Sequence, residues 1–129
     1  MTFDELYQSA KSVIKPRRLS EEVEVGGVGA AILTADNNVY TGVCIDTACS
    51  MGFCAEHAAA AAMVTNGESA ISKVIAVGWD GRIMPPCGRC REFMMQLDDR
   101  NAKAEVKVNE EVIVPLKELL PYDWRAAIR

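Results

Sequence analysis

The chain has 129 residues, half of them hydrophobic and a quarter charged, with a formal net charge of −4. That size and balance predict one globular domain over residues 1–129. No apolar run is long enough to cross a membrane, and the acidic balance argues against a protein that grips long nucleic acid, whose phosphates need a basic surface.

Phe3, Leu6, Tyr7, Ala10, Val13 and Ile14 recur at helical spacing and predict an amphipathic helix over residues 3–14. Thr2 suits its N-cap, Asp4 and Glu5 its first turn, and Pro16 its end. This acidic opening has no apolar stretch and does not resemble a signal peptide. Five cysteines without a need to pair suit a reducing compartment, so a cytoplasmic location is expected. Residues 16–26 read as a charged, solvated connection. Val28 to Leu33 and Val39 to Val43 predict a hairpin around Asp36-Asn37-Asn38. A loop from Asp46 to Phe53 leads to a helix over 54–64 with an unbroken run from Ala58 to Ala62, and Gly67 is its stop. Lys73 to Gly78 reads as a buried strand, Trp79 to Arg82 as a turn, and Cys87 to Leu97 as a second short helix. Asn101-Ala102 is a break. Strands over 104–108 and 112–114 follow, then a helical turn begun by Pro115. Residues 125–129 carry no predicted element. Strands alternating with helices imply an α/β domain.

Two short stretches carry chemistry. Cys54-Ala55-Glu56-His57 places a thiol two residues before a carboxylate, and Pro86-Cys87-Gly88-Arg89-Cys90 places two thiols three residues apart. Three thiolates suit Zn²⁺, and three protein ligands leave the fourth tetrahedral position to water, as in a catalytic site. A structural site would be closed by a fourth Cys or His, for which Cys44, Cys49 and His57 are available. All three thiols fall at predicted helix starts, where backbone N–H groups and the helix dipole favour thiolate. Glu56 sits where it can carry a proton for that water, although a carboxylate in a first helical turn can also serve the dipole alone.

With these residues the chain resembles the cytidine deaminase family, including its blasticidin S deaminase branch. Val28-Gly29-Ala30-Ala31, Tyr40-Thr41-Gly42, Pro86 to Arg91 and Leu119-Leu120-Pro121 extend the resemblance over roughly residues 3–124. The resemblance implies a three-layer α/β/α fold with a central mixed five-stranded sheet, and hydrolytic removal of the exocyclic amine of a cytosine-type nucleoside. Cys54, Cys87 and Cys90 would hold zinc, and Glu56 would shuttle protons to the ring nitrogen and to the departing ammonia. It also implies a homotetramer, with main-chain groups of Ala55 facing the substrate. Trp124 is the candidate for the aromatic near the family's C-terminus that covers the base, often from a neighbouring subunit. A surface-packing role suits Trp124 equally.

The departures lie on the ligand side. Family members have Asn-x-Glu in the loop after the hairpin, to hold base and ribose; here the residues are Cys44-Ile45-Asp46. A thiol replaces an amide that both donates and accepts. Gly26 stands where the family has Phe, and Pro85 where it has Ser or Thr. The substrate is therefore either ordinary cytidine or deoxycytidine, or a modified analogue such as blasticidin S or another aminated heterocycle. After Cys-Ala-Glu the family commonly has an Arg that bonds a ligand sulfur. Here that residue is His57, the only histidine. It is expected either to donate an N–H to a thiolate, with Arg91 assisting, or simply to pack against the sheet. Phe53 and Trp79 are expected in the core or pocket wall, and Cys49 as a small apolar filler. The competing functions are a nucleic-acid editing deaminase, which the acidic charge disfavours, and a zinc-stabilised binding protein, which has no use for Glu56.

Overall fold

The computed structural model describes residues 1–129. Helix α1 (Phe3–Ser12) opens with a reciprocal cap: the Thr2 hydroxyl accepts from the Glu5 N–H, and the Glu5 carboxylate accepts from the Thr2 N–H, both at 3.2 Å. Seven strands form one sheet: β1 (Arg17–Arg18), β2 (Val23–Thr34), β3 (Val39–Thr47), β4 (Ile71–Gly78), β5 (Ile83–Met84), β6 (Glu105–Lys107) and β7 (Ile113–Pro115). Helices α2 (Ala55–Thr65) and α3 (Gly88–Leu97) fall between β3 and β4 and between β5 and β6.

The five expected strands are the body of the sheet, in the spatial order β3-β2-β4-β6-β7. The pairing of β4 with β6 is parallel and the others are antiparallel, so the sheet is mixed. Two-residue strands escaped the hydrophobic pattern: β1 pairs with the start of β2, and β5 with the end of β4. The pattern also cut β2 and β3 short. The stretch expected as solvated connection contains the first residues of β2, where Glu24 faces solvent and pairs with Arg18 across to β1. Alternating charge on an edge hides a strand from a search for apolar runs.

Both faces of the sheet are covered, which explains the near-continuous apolar runs of β2 and β4. Ala31, Leu33, Ile75 and Val77 point to one face and bury Phe3, Leu6 and Ala10 of α1. Their neighbours Ala30, Ile32, Val74 and Ala76 point to the other, against Ala59, Ala60 and Met63 of α2 and Met94 of α3. The period-2 alternation of a strand thus divides the core in two. Helix α2 approaches very closely: a Cβ on Gly42 would lie 2.4 Å from the Ala59 nitrogen. Gly42 opposite the alanine run lets this helix lie against β3.

Candidate active site

A cavity of about 500 Å³ opens where the end of β3 meets the starts of α2 and α3. Cys54 is the N-cap of α2 and Cys87 the N-cap of α3; both backbones are extended, and neither side chain makes a capping bond. Each sulfur is therefore free for another partner while sitting at a helix's positive end. Cys90, one turn into α3, is fully buried. The Cys54 and Cys87 sulfurs lie 3.4 Å apart and those of Cys87 and Cys90 3.5 Å apart, with all three within 4.8 Å of one another. Zinc–sulfur bonds of 2.3 Å at tetrahedral angles put sulfurs about 3.8 Å apart, so the cluster needs only small adjustments to hold Zn²⁺. Cys44, Cys49 and His57 lie outside the cluster, so three thiols make the set.

As thiols the three differ. Burial pushes Cys54 up to about 11, and it also pushes Cys90 up. Burial pushes Cys87 the same way, but hydrogen bonds from the Cys90 and Arg89 backbone N–H groups and from the neighbouring thiols outweigh it and leave Cys87 low. Metal binding has to release the protons of the thiols that burial keeps protonated.

Glu56 is 5% exposed and lines the same cavity, and its charge acts on both Cys54 and Cys90. Burial pushes its carboxyl up, the direction a proton carrier at neutral pH requires. His57 Nδ1 lies 3.1 Å from the Cys90 sulfur. Its ring stacks on Phe93 at 4.3 Å and 10°. Burial, then the nearby Arg89 charge, pulls its pKa down. Against Cys90 as a metal-bound thiolate, a neutral ring would make this contact favourable with Nδ1–H donating to sulfur.

A family model described as "Cytidine and deoxycytidylate deaminase zinc-binding region" matches residues 4–105. The chain belongs to this family. Cytidine deaminase from Mycobacterium tuberculosis is 33% identical over 70 residues, covering 54% of this chain and 53% of that protein. The one from Halalkalibacterium halodurans is 36% identical over 78 residues, covering 59% and 58%. These sequence matches thus span little more than half the length of the curated relatives. In three dimensions the overlap is wider. The crystal structure of the Mycobacterium tuberculosis cytidine deaminase superposes with a TM-score of 0.80 at 24% identity, over 96% of this chain and 98% of that one. The Burkholderia pseudomallei cytidine deaminase gives 0.73 at 27% identity, over 95% and 98%.

Among the other candidates, Cys44, Asp46 and Ala55 line the cavity, as do Phe53 and Pro85. The Cys44 sulfur accepts from the Val28 N–H at 3.3 Å, an internal tie on the cavity wall. Trp124 is not among the lining residues of this chain's cavity; it is 53% exposed and donates from Nε1 to Glu92 at 3.1 Å. Arg91 does not reach a sulfur. Its Nε donates to the Pro86 carbonyl at 2.7 Å and its Nη1 to the Leu119 carbonyl at 3.4 Å. The cation at the cavity is Arg89 instead, with Nη1 donating to the Gly52 carbonyl at 3.2 Å. Its place inside Cys-Gly-Arg-Cys was the only signal. Thr47 also lines the cavity, and its hydroxyl is buried without a hydrogen-bond partner. Trp79 and Cys49 are exposed rather than packed, Cys49 with a left-handed φ of 60°.

Proposed function

We propose that this chain is a zinc-dependent hydrolytic deaminase that replaces the exocyclic amine of a free cytosine-type nucleoside by a carbonyl, releasing ammonia. One observation carries the proposal: a buried carboxyl, Glu56, lines a nucleoside-sized cavity together with Cys54 and Cys87, whose sulfurs lie within 4.8 Å of each other and of the buried Cys90 sulfur. Bound zinc supplies a Lewis acid and an activated water at Cys54, Cys87 and Cys90. Glu56 would take one proton from the attacking water and pass it to the ring nitrogen, then take the water's second proton as the carbonyl forms and pass it to the amine, which leaves as ammonia. Its burial suits both halves, because a carboxyl raised above its ordinary value is a better proton acceptor than a solvated one and still returns the proton. Ala55 offers main-chain groups at the start of α2, and Asp46 at the cavity edge suits a sugar hydroxyl. His57 relieves the negative charge of three thiolates through its contact with Cys90.

Deamination of cytidine or deoxycytidine in pyrimidine salvage is the substrate assignment that the relatives support. Cys44 in place of an amide supports the alternative, a modified analogue such as blasticidin S or another aminated heterocycle. The family's zinc chemistry with reduced thiols favours work in the cytoplasm. A homotetramer is the proposed assembly. The observation behind it is that α2 is apolar on nearly every side, with Ala61 and Val64 left exposed. An apolar surface on such a helix finds its cover in another chain.

The test offers zinc-loaded protein cytidine, deoxycytidine, cytosine and blasticidin S, and follows ammonia release. Glu56→Gln is expected to retain zinc and lose at least about a hundred-fold in turnover. Undiminished turnover by that variant would remove the mechanism. Turnover of blasticidin S alone would move the assignment to the alternative.

A further inference from the structure

Helix α3 carries two of the three thiols, and the two residues after Cys90 both reach away from the cavity to one segment of the chain. Arg91 bridges the Pro86 carbonyl, one residue before Cys87, to the Leu119 carbonyl, 28 positions along the chain. Glu92 accepts from Trp124 Nε1 and from Arg125 Nη1, 32 and 33 positions away. Arg125 is only 7% exposed. Its second terminal nitrogen donates to Asp123 at 3.0 Å, and its guanidinium lies 5.2 Å from the Trp124 ring centroid. Burying a guanidinium is costly unless every partner is in place. What it gives in return is direction, because the planar fork fixes the carboxylates it binds in orientation as well as distance. One of those carboxylates stands two residues from a zinc ligand.

We infer that residues 119–125 form a brace that positions the Cys87–Cys90 pair for the metal, with Arg125 and Glu92 as its positioning residues. The inference rests on the three-sulfur metal site and is independent of the substrate. Trp124 belongs to this brace in its own chain. The same ties account for Arg91, whose guanidinium holds backbone on both sides of the helix start instead of a sulfur.

The experiment measures zinc release from the loaded protein into excess chelator with a colorimetric zinc reporter, without substrate. Arg125→Ala and Glu92→Ala are each expected to speed release by about ten-fold, the scale on which groups supporting metal ligands act. The double variant should release zinc more slowly than the product of the two single effects implies, because the singles share the Arg125–Glu92 contact while each also loses ties of its own. Arg125→Lys keeps the charge and loses the fork, so its release rate should fall between wild type and Arg125→Ala; it also serves if the alanine variants fail to fold. The comparison that separates a brace from general stability is Tyr7→Phe, which removes the Tyr7 hydroxyl from the Gly81 carbonyl at 2.8 Å on the α1 side of the sheet. Each release rate is read against the variant's own Tm. Release that follows Tm alone across the whole set, or single effects that add in the double variant, would overturn the inference. So would an Arg125→Lys variant that holds zinc as wild type does. Because the readout is zinc, a failure here leaves the deaminase assignment standing, and inactivity on all four amines leaves the brace standing.

Discussion

Asn101 is a fully buried amide whose removal should be among the most damaging single changes in the chain. Its Oδ1 accepts from the Ile71 N–H at 2.7 Å, and its Nδ2 donates to the carbonyls of Met94 at 2.9 Å and Ser69 at 3.0 Å. It therefore joins the start of β4 to the last part of α3, the helix that carries two thiols. Three intramolecular hydrogen bonds at about 1 kcal/mol net each come to about 3 kcal/mol. The backbone groups left without partners in Asn101→Ala raise the loss toward about 5 kcal/mol. For a chain of this length that is a fall in Tm of about 10 °C or more. Asn101→Asp sharpens the test. It keeps the acceptor for Ile71, loses both donors, and faces two carbonyls with a negative charge. Its folded-state pKa must therefore lie above the unfolded value near 4, so the folded variant holds the proton more tightly. Its stability should recover as pH falls toward 4 and decline as pH rises through that window. Thermal and urea unfolding at fixed zinc concentration read both variants. A Tm for Asn101→Ala within about 2 °C of wild type would show that water or local rearrangement satisfies those groups and that the hydrogen-bond accounting is wrong.

Three further outcomes are expected. His57→Ala removes the Nδ1–sulfur contact and the Phe93 stack, and zinc affinity measured by chelator competition should fall by about ten-fold; unchanged affinity and turnover would reduce His57 to packing. Gly42→Ala drives a methyl to 2.6 Å from the Ala58 Cβ and closer still to the α2 backbone, so unfolding should show a loss of about 2 kcal/mol, with α2 displaced along with Cys54 and Glu56. Asp98 is held well below the usual carboxylate range, first by the Arg100 side chain, then by the Arg100 N–H and Ser69. Because its folded value is depressed, the stability it contributes is complete above about pH 4 and drains away as pH falls toward the folded value. Urea titrations from pH 6 to pH 2 should show a shallower acid slope for Asp98→Asn than for wild type, and parallel slopes would contradict the assignment.

The metal half of the site was legible because its chemistry is local in sequence. A thiol, a carboxylate two residues later and a two-thiol motif at a helix start each specify their own geometry, and the sheet has only to bring two helix N-termini together. The body of the sheet was legible for a related reason: β2 and β4, covered on both faces, carry long apolar runs, from Val25 to Leu33 and from Val74 to Gly78. What could not be read depends on distant contacts. Arg91 and Arg89 are equally cationic neighbours of Cys90, and only the fold determines that one turns to Leu119 and the other to the cavity. Asn101 looked like a break because an amide between short elements is a turn signal; nothing local tells that it is buried against Ile71 and Met94. Trp79 and Trp124 are large and apolar, yet each lies largely in solvent.

Gly26 occupies a stretch of the first hairpin whose backbone a larger side chain would not tolerate. Its φ is +83°, and a Cβ there would lie 2.1 Å from the Lys15 carbonyl oxygen, whose own residue donates its N–H to the Gly26 carbonyl at 3.0 Å. A phenylalanine at this position would need another backbone and a displaced link between α1 and β2. The glycine is thus bound to an irregularity in β2, whose pairing with β3 shifts register between Val25 and Gly29. That shift leaves the Val28 N–H facing the Cys44 sulfur, a residue on the cavity wall. Gly26, Val28 and Cys44 are therefore linked within one irregular stretch of the first hairpin, beside the cavity. Restoring Asn at position 44 alone would put an amide beside a backbone donor already arranged for sulfur. The thiols, by contrast, sit at two helix starts, and the hairpin meets the first of them through regular backbone pairing of Ile45 with Phe53.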